Sequence, residues 1–325
     1  MSNRKATAVS CANIALIKYW GNRDERLRLP ANASLSMNLA GLETRTTVAF
    51  DEGLAEDEVK IGGEAQTDRA KERVMTHLGH IRARARITWK ARVDSRNNFP
   101  AGAGLASSAS AFAALTLAGA KAAGLSLSEQ ELSALARLGS GSAARSIPAG
   151  FVEWQTGETH AESFAFSVAP PDHWALVDVV AVVSKAHKAV GSTGGHAIAG
   201  TSPLQAARVA SAPERLRRCR EAVLSRNFYE LAEVVEADSN IMHAVMMTST
   251  PPLYYWEPLT LVVMKFVREW RAEGLRVCFT IDAGPNVHCL CPVETAPEVE
   301  RRLRDLGVME TLTATPGGAA RVMEE

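Results

Sequence analysis

The segment Pro100-Ala-Gly-Ala-Gly-Leu-Ala-Ser-Ser-Ala-Ser-Ala111 constrains the chain more than any other, because a glycine-rich turn runs there without a break into a helical stretch. Gly102 and Gly104 carry no side chain, so backbone N–H groups can approach an anion closely. The helix that follows turns its free N–H groups and positive dipole end toward the same point. Ser107, Ser108 and Ser110 add hydroxyl donors, and together these features suit a phosphate-bearing ligand. The turn has neither the Gly-Lys-Ser/Thr ending of a P-loop nor the G-x-G-x-x-G fingerprint of dinucleotide folds, so a nucleotide site of another kind is predicted. On the glycines alone, a serine-capped turn before a buried helix fits equally well.

With 325 residues, the chain has material for two domains at about 150 residues each. Its 46% apolar and 22% charged residues match a globular protein rather than a fibrous or disordered one. Thirty-six Lys and Arg balance thirty-six Asp and Glu, so no global field draws it to nucleic acid or an anionic membrane, and any positive site must be local. Five cysteines, an odd number without a CxxC pair, predict reduced thiols rather than a disulfide framework or zinc ribbon. The longest apolar runs, at 179–183 and 261–264, fall far short of the roughly 20 residues that cross a bilayer, so a soluble, cytoplasmic protein is expected.

Period-two patterning predicts strands at 45–50 and 85–93, and helices are read at 105–123 and 128–137, the latter opened by Ser-x-x-Glu. Pro170-Pro171 interrupts any regular element and sets the expected boundary between domains 1–170, which carries the phosphate loop, and 171–325, which supplies the substrate side. Beyond it, a continuous apolar strand is predicted at 174–183, helices at 204–210, 214–224, 228–235 and 261–273, and a short strand at 277–282. Each half reads as α+β.

The loop Pro-x-Gly-x-Gly-Leu-Ala-Ser-Ser-Ala resembles that of the small-molecule kinase superfamily containing galactokinase, homoserine kinase and mevalonate kinase. Four further segments, in the same order, resemble its mevalonate diphosphate decarboxylase family: Ala12-Asn-Ile-Ala-Leu-Ile-Lys18-Tyr-Trp-Gly21, Gly139-Ser-Gly-Ser-Ala-Ala-Arg145-Ser, Ser192-Thr193-Gly194 and Ile281-Asp282-Ala-Gly-Pro-Asn-Val-His288. The resemblance implies an α+β two-domain fold with the active site in the interdomain cleft. It implies ATP as co-substrate with Mg²⁺, a phosphorylated mevalonate as substrate, and a homodimer. No dedicated metal site is legible in the sequence, as befits an ion held by phosphates and water.

By residue type alone, Lys18 reads as a surface lysine, Asp282 as a turn aspartate and Arg145 as a helix-surface arginine. The resemblance makes these three catalytic. Asp282 would orient or deprotonate the substrate 3-hydroxyl for attack on the γ-phosphorus, Lys18 would hold that carboxylate ionised, and Arg145 would hold the carboxylate that leaves as carbon dioxide. It further implies that Tyr19, Asn22, Ser140, Gly141, Ser142, Ser192 and Thr193 bind substrate. Pro100, Gly102, Gly104, Leu105, Ala106, Ser107, Ser108 and Ser110 would bind the ATP phosphates.

One position departs from the pattern: family members that use the diphosphate have a second lysine after Lys-Tyr-Trp-Gly, where this chain has Asn22. Losing a partly buried charge-assisted contact costs about 1.5 to 3 kcal/mol, so the expected substrate is 5-phosphomevalonate and the product isopentenyl phosphate. The alternative is mevalonate 5-diphosphate giving isopentenyl diphosphate, with the neighbouring Arg23 or another cation reaching the phosphate. A 3-kinase that stops after phosphoryl transfer, and a non-catalytic nucleotide sensor, are further alternatives. His288, six residues past Asp282, is read as supporting that carboxylate, and the segment Asp238-Ser-Asn-Ile-Met-His243 resembles the family without a legible role.

Overall fold

A computed structural model describes residues 4–99, 107–186 and 190–324. Strand β1 (Lys5–Ile17) is buried from its second residue onward. A small hairpin, β2 (Asn22–Asp24) and β3 (Leu29–Pro30), follows it, and then the 18-residue β4 (Ser34–Asp51), which pairs antiparallel with β1 along most of its length. Next come β5 (Glu58–Ile61), β6 (Glu64–Ala65), α1 (Arg69–Ala85), β7 (Lys90–Asn97), α2 (Ser107–Ala122) and α3 (Glu129–Gly139). A 3-10 turn, Gly141–Ser146, leads to the hairpin β8 (Phe151–Trp154) and β9 (Ala165–Ala169).

After the two prolines and a short 3-10 turn at Pro171–His173 comes β10 (Leu176–Val182), buried on both faces as its continuous apolar run predicts. The chain then forms α4 (Ser192–Ile198), α5 (Gln205–Ser225), α6 (Phe228–Thr248), α7 (Pro258–Ala272), β11 (Cys278–Thr280), β12 (Val287–Pro292), α8 (Ala296–Asp305), β13 (Glu310–Pro316) and β14 (Arg321–Val322). β13 pairs with both β10 and β4, so one twelve-stranded sheet runs through both halves of the chain. β14 returns to pair with β1.

Helices cover the sheet in separate layers. α5 and α6 press Leu216, Cys219, Leu231 and Val235 onto Ile14, Leu16, Leu35 and Met37. α1 and α2 pack Val74, Leu78, Ile81, Phe112 and Leu115 against Ala6, Ala8, Val48 and Val93. A third core lies under α7 and α8. Each large side chain so buried contributes about 1.5 to 3 kcal/mol before chain entropy is subtracted.

Some elements differ from their sequence-based expectations. The strand expected at 85–93 begins at Lys90, because α1 runs to Ala85 with Asp68 as its N-cap and Val74, Leu78 and Ile81 as its buried stripe. Helices expected at 204–210 and 214–224 are one helix, α5: Pro213 is exposed, and the buried face of Arg208, Ala212, Arg215, Leu216 and Cys219 continues past it. α6 outruns the expected 228–235 by thirteen residues, because Asp238, Ser239 and His243 are buried polar groups that break the apolar pattern without breaking the helix. The Ser128–Glu131 capping box opens α3 as read from the sequence.

Candidate active site

β1 ends where the two halves of the chain face each other, and the residues just past it enter a cavity of about 390 Å³. Lys18 is the first of these. Its side chain is only 1% exposed, and its Nζ lies 2.5 Å from Oδ1 of Asp282, just past β11, which is 25% exposed. Burying an ammonium without a partner costs several kcal/mol, and the carboxylate offsets that cost. Burial opposes the charge of Asp282, but Lys18, His288 and Arg145 outweigh it and hold the carboxyl below its ordinary value. Burial likewise pulls Lys18 down, against the opposing pull of Asp282.

The backbone from Lys18 to Gly21 is held by buried side chains rather than by a sheet ladder. Lys18 N–H donates to Oδ2 of Asp238 at 2.6 Å, and the other Asp238 oxygen accepts from Arg215 Nε at 2.7 Å. The Lys18 carbonyl accepts from Arg208 and Asn32, and the Trp20 carbonyl from Gln205 and Arg208. Gly21 has φ +92°, a backbone conformation that favours glycine, and it packs closely against Gln205 and Ala199. The segment 238–243 thereby acquires a role that spacing could not reveal. Asp238 fixes the Lys18 backbone, and Ser239 exchanges hydrogen bonds with the backbone of Ile281, next to Asp282.

Arg145, in the 3-10 turn, donates from Nη1 to Ser34 at 2.8 Å and from Nη2 to Asn13 at 3.2 Å. Its Nε is buried with no partner among the described residues. Burial pulls its pKa to about 10, so it stays cationic near neutrality. Ser140, Gly141 and Ser142 line the same cavity, as do Ser192 and Thr193 of α4, Tyr19, and Ser107 and Ser108 of α2. The Tyr19 ring lies where a Cβ on Gly141 would be, 2.5 Å away, so only glycine admits it.

Other expectations fare differently. Asn22 is not among the cavity-lining residues and reaches them through Tyr19, whose hydroxyl donates to Asn22 Oδ1, while Asn22 Nδ2 donates to Glu25. Ser110 is fully buried against Thr44 instead of facing the cavity. Arg23 turns outward to Glu158 and the Gly157 carbonyl. Pro100, Gly102, Gly104, Leu105 and Ala106 lie outside the described residues. His288 Nδ1–H donates to Asp178 Oδ2 at 2.6 Å in the interior instead of bonding Asp282.

Three cavity residues had no sequence signal. Arg28 and Arg73 sit in charge-mixed stretches that read as solvated surface, and His196 falls in a glycine-rich stretch without metal-ligand spacing. Arg28 Nε donates to the Leu138 carbonyl at 3.0 Å and Arg73 to that of Gly139 at 3.4 Å, so both guanidinium groups dock on the last turn of α3, where a helix favours positive charge. Among the described residues, four cations and one carboxylate therefore line the cavity, an excess that calls for a polyanion. Among the described residues, no group of His, Cys, Asp and Glu could hold a metal ion. No helix there is long and apolar enough to cross a membrane.

An anion-binding cleft with a buried lysine–aspartate pair, on a mixed α+β two-domain frame, defines an enzyme of the small-molecule phosphoryl-transfer class. Comparison with known proteins places it more narrowly. Residues 10–165 match the family model for the diphosphomevalonate decarboxylase-like N-terminal domain, and 178–315 that for the mevalonate 5-diphosphate decarboxylase C-terminal domain. The diphosphomevalonate decarboxylase of Aspergillus fumigatus is 40% identical over 87% of this chain and 75% of its own length, and that of Homo sapiens 39% over 88% and 77%. The solved mevalonate diphosphate decarboxylase of Staphylococcus aureus superposes with a TM-score of 0.93 at 35% identity, covering 98% of both chains. A solved complex of MDDEF with MVAPP, AMPPCP and magnesium gives 0.93 at 36% identity and 99% of each chain. The chain belongs to the diphosphomevalonate decarboxylase family, and is an ATP-dependent decarboxylase of the mevalonate pathway.

Proposed function

We propose that the chain converts mevalonate 5-diphosphate and ATP to isopentenyl diphosphate, ADP, phosphate and carbon dioxide. The observation that carries this is the Lys18–Asp282 pair at 2.5 Å beside the polycationic cavity, with Arg145 lining the same space. Relatives named for the diphosphate, at 35–40% identity over most of the chain, support that substrate over the monophosphate expected from Asn22 alone.

Asp282, kept ionised, accepts the proton of the substrate 3-hydroxyl as its oxygen attacks the γ-phosphorus, and ADP leaves. The C3–O bond then breaks with phosphate as leaving group. The C–C bond to the carboxylate breaks next, its electron pair forms the alkene, and carbon dioxide departs. Lys18 holds Asp282 and stabilises charge at the hydroxyl, and Arg145 orients the carboxylate.

A second cavity of about 180 Å³ shares Arg73, Ser107 and Ser108 with the first and is lined by Val74, Val93, Phe112 and Leu115, which suits a purine. Magnesium, carried in on the nucleotide phosphates, would neutralise charge in the transfer, and the serine hydroxyls beside those phosphates fit such a complex.

The second reading, 5-phosphomevalonate to isopentenyl phosphate, rests on Asn22 and on its engagement with Tyr19 and Glu25, which leaves no cation at that position. Purified protein assayed with both substrates, with ADP, carbon dioxide and product identified, tests the proposal. Carbon dioxide equal to ADP with a diphosphate preference supports it, whereas a tenfold or greater kcat/KM preference for the monophosphate establishes the second reading. ADP without carbon dioxide overturns both.

A further inference from the structure

Arg28 occupies a backbone conformation that its residue type disfavours. It is one of three non-glycine residues with positive φ among the described residues, at +50°, just before β3. Glycine or asparagine fills such a position at lower cost, and an arginine held there costs on the order of 1 kcal/mol or more. The other two, Arg86 and Arg226, are helix C-caps and lie outside the cavity. Arg28 lines it.

Its side chain is half-buried and tethered by Nε to the Leu138 carbonyl, and no ion pair joins it to a carboxylate among the described residues. Arg73, on the same helix end, adds a like charge instead of cancelling it. Next to this stands His196, stacked on Tyr19 at 4.1 Å between ring centres. Gly21 N–H donates to His196 Nδ1 at 3.0 Å, so Nδ1 is unprotonated and the neutral ring carries its hydrogen on Nε2. Burial, with the nearby charges of Arg28, Arg208 and Arg145, keeps the ring neutral by lowering its pKa to about 3.

We infer that Arg28, with the Nε2–H of His196 beside it, is the specificity-determining anchor for the terminal phosphate of the substrate, supplying the cation that Asn22 does not. This rests on the reading of the substrate as a 5-phosphorylated mevalonate. The guanidinium presents Nη donors to phosphate oxygens while Nε stays on Leu138, so a single side chain is both positioned and charged for the ligand.

The test is binding without turnover. Calorimetry without ATP measures the Kd of wild type, Arg28→Gly and Arg28→Lys for mevalonate, its 5-phosphate and its 5-diphosphate, and thermal melts are recorded in parallel. Glycine relieves the backbone, so its melting temperature is expected unchanged or higher, while affinity for both phosphorylated ligands falls roughly tenfold to a hundredfold and affinity for mevalonate stays as it was. Arg28→Lys recovers part of the loss. Unchanged affinities, an equal loss for all three ligands, or a loss confined to the KM for ATP in the turnover assay would overturn the inference. Because binding is read apart from carbon dioxide release, a chain inactive on both substrates refutes the proposed reaction and leaves this result legible.

Discussion

The two ends of the cavity are built on opposite principles. At the reacting end Lys18 meets Asp282, and Asp238 meets Arg215 and the Lys18 backbone, while Arg145 is fixed in place by Ser34 and Asn13 with no ion pair among the described residues. At the other end Arg28 and Arg73 dock on carbonyls of α3, Arg73 also lying over the Phe112 ring, and neither has a carboxylate partner among the described residues. A centre where charge develops gains from dipoles already fixed before the reaction, because nothing then reorganises at the barrier. A centre that captures a polyanion gains from charge left unneutralised until the ligand arrives. Damage to the first should therefore appear in kcat, and damage to the second in KM.

Asp282→Asn tests the first half of that statement hardest. The amide keeps the shape and loses the proton acceptor, so kcat should fall by roughly 10² to 10⁴ with KM for either substrate little altered, as followed by ADP release. A loss residing mainly in KM would mean that this end captures ligand as well, and the contrast would fail.

Lys18→Met is the next largest effect, about 10² to 10³ in kcat, and it adds a pH signature. In the native chain burial pushes the Asp282 carboxyl up, but Lys18, His288 and Arg145 pull it further down, so it ends below its ordinary value. Removing the ammonium deletes the largest of the opposing pulls, and the folded pKa rises. The base form is then lost at higher pH, so the acid limb of the kcat–pH profile should move upward relative to wild type. An acid limb that does not move would show that Lys18 does not set the ionisation of Asp282.

The same contrast explains what could be read from the sequence. Lys18, Arg145 and Asp282 lie within long family-like segments, and the structure brings all three to one cavity. The α+β mixture, α3 with its cap, and the buried β10 were visible because capping and apolar runs are local signals. Arg28 was not, because its place depends on a left-handed backbone angle and a carbonyl 110 residues away. Asp238 escaped for a related reason: a buried charge in a helix looks like a break in the apolar stripe until its partners, Arg215 and the Lys18 N–H, are known. α1 was not read from the sequence, because its buried stripe of Val74, His77, Leu78 and Ile81 is narrow among many charged residues.

The smallest effect, Asn22→Lys, sharpens the comparison because the two accounts of the phosphate end disagree about its size. If a lysine there were simply missing, restoring it would supply a partly buried charge-assisted contact and lower KM for the diphosphate by roughly tenfold to a hundredfold. If Arg28 and Arg73 already furnish the field, a third cation enters against their repulsion, and the Tyr19 hydroxyl loses the acceptor it has in Asn22. The gain then shrinks to about threefold or less, with kcat unchanged, because an added exposed charge is worth only about 0 to 1 kcal/mol. Parallel KM measurements with the monophosphate complete the test: a lysine that improves the diphosphate alone by tenfold or more would show that the native phosphate end is tuned to a single phosphate, with Arg28 as its measure.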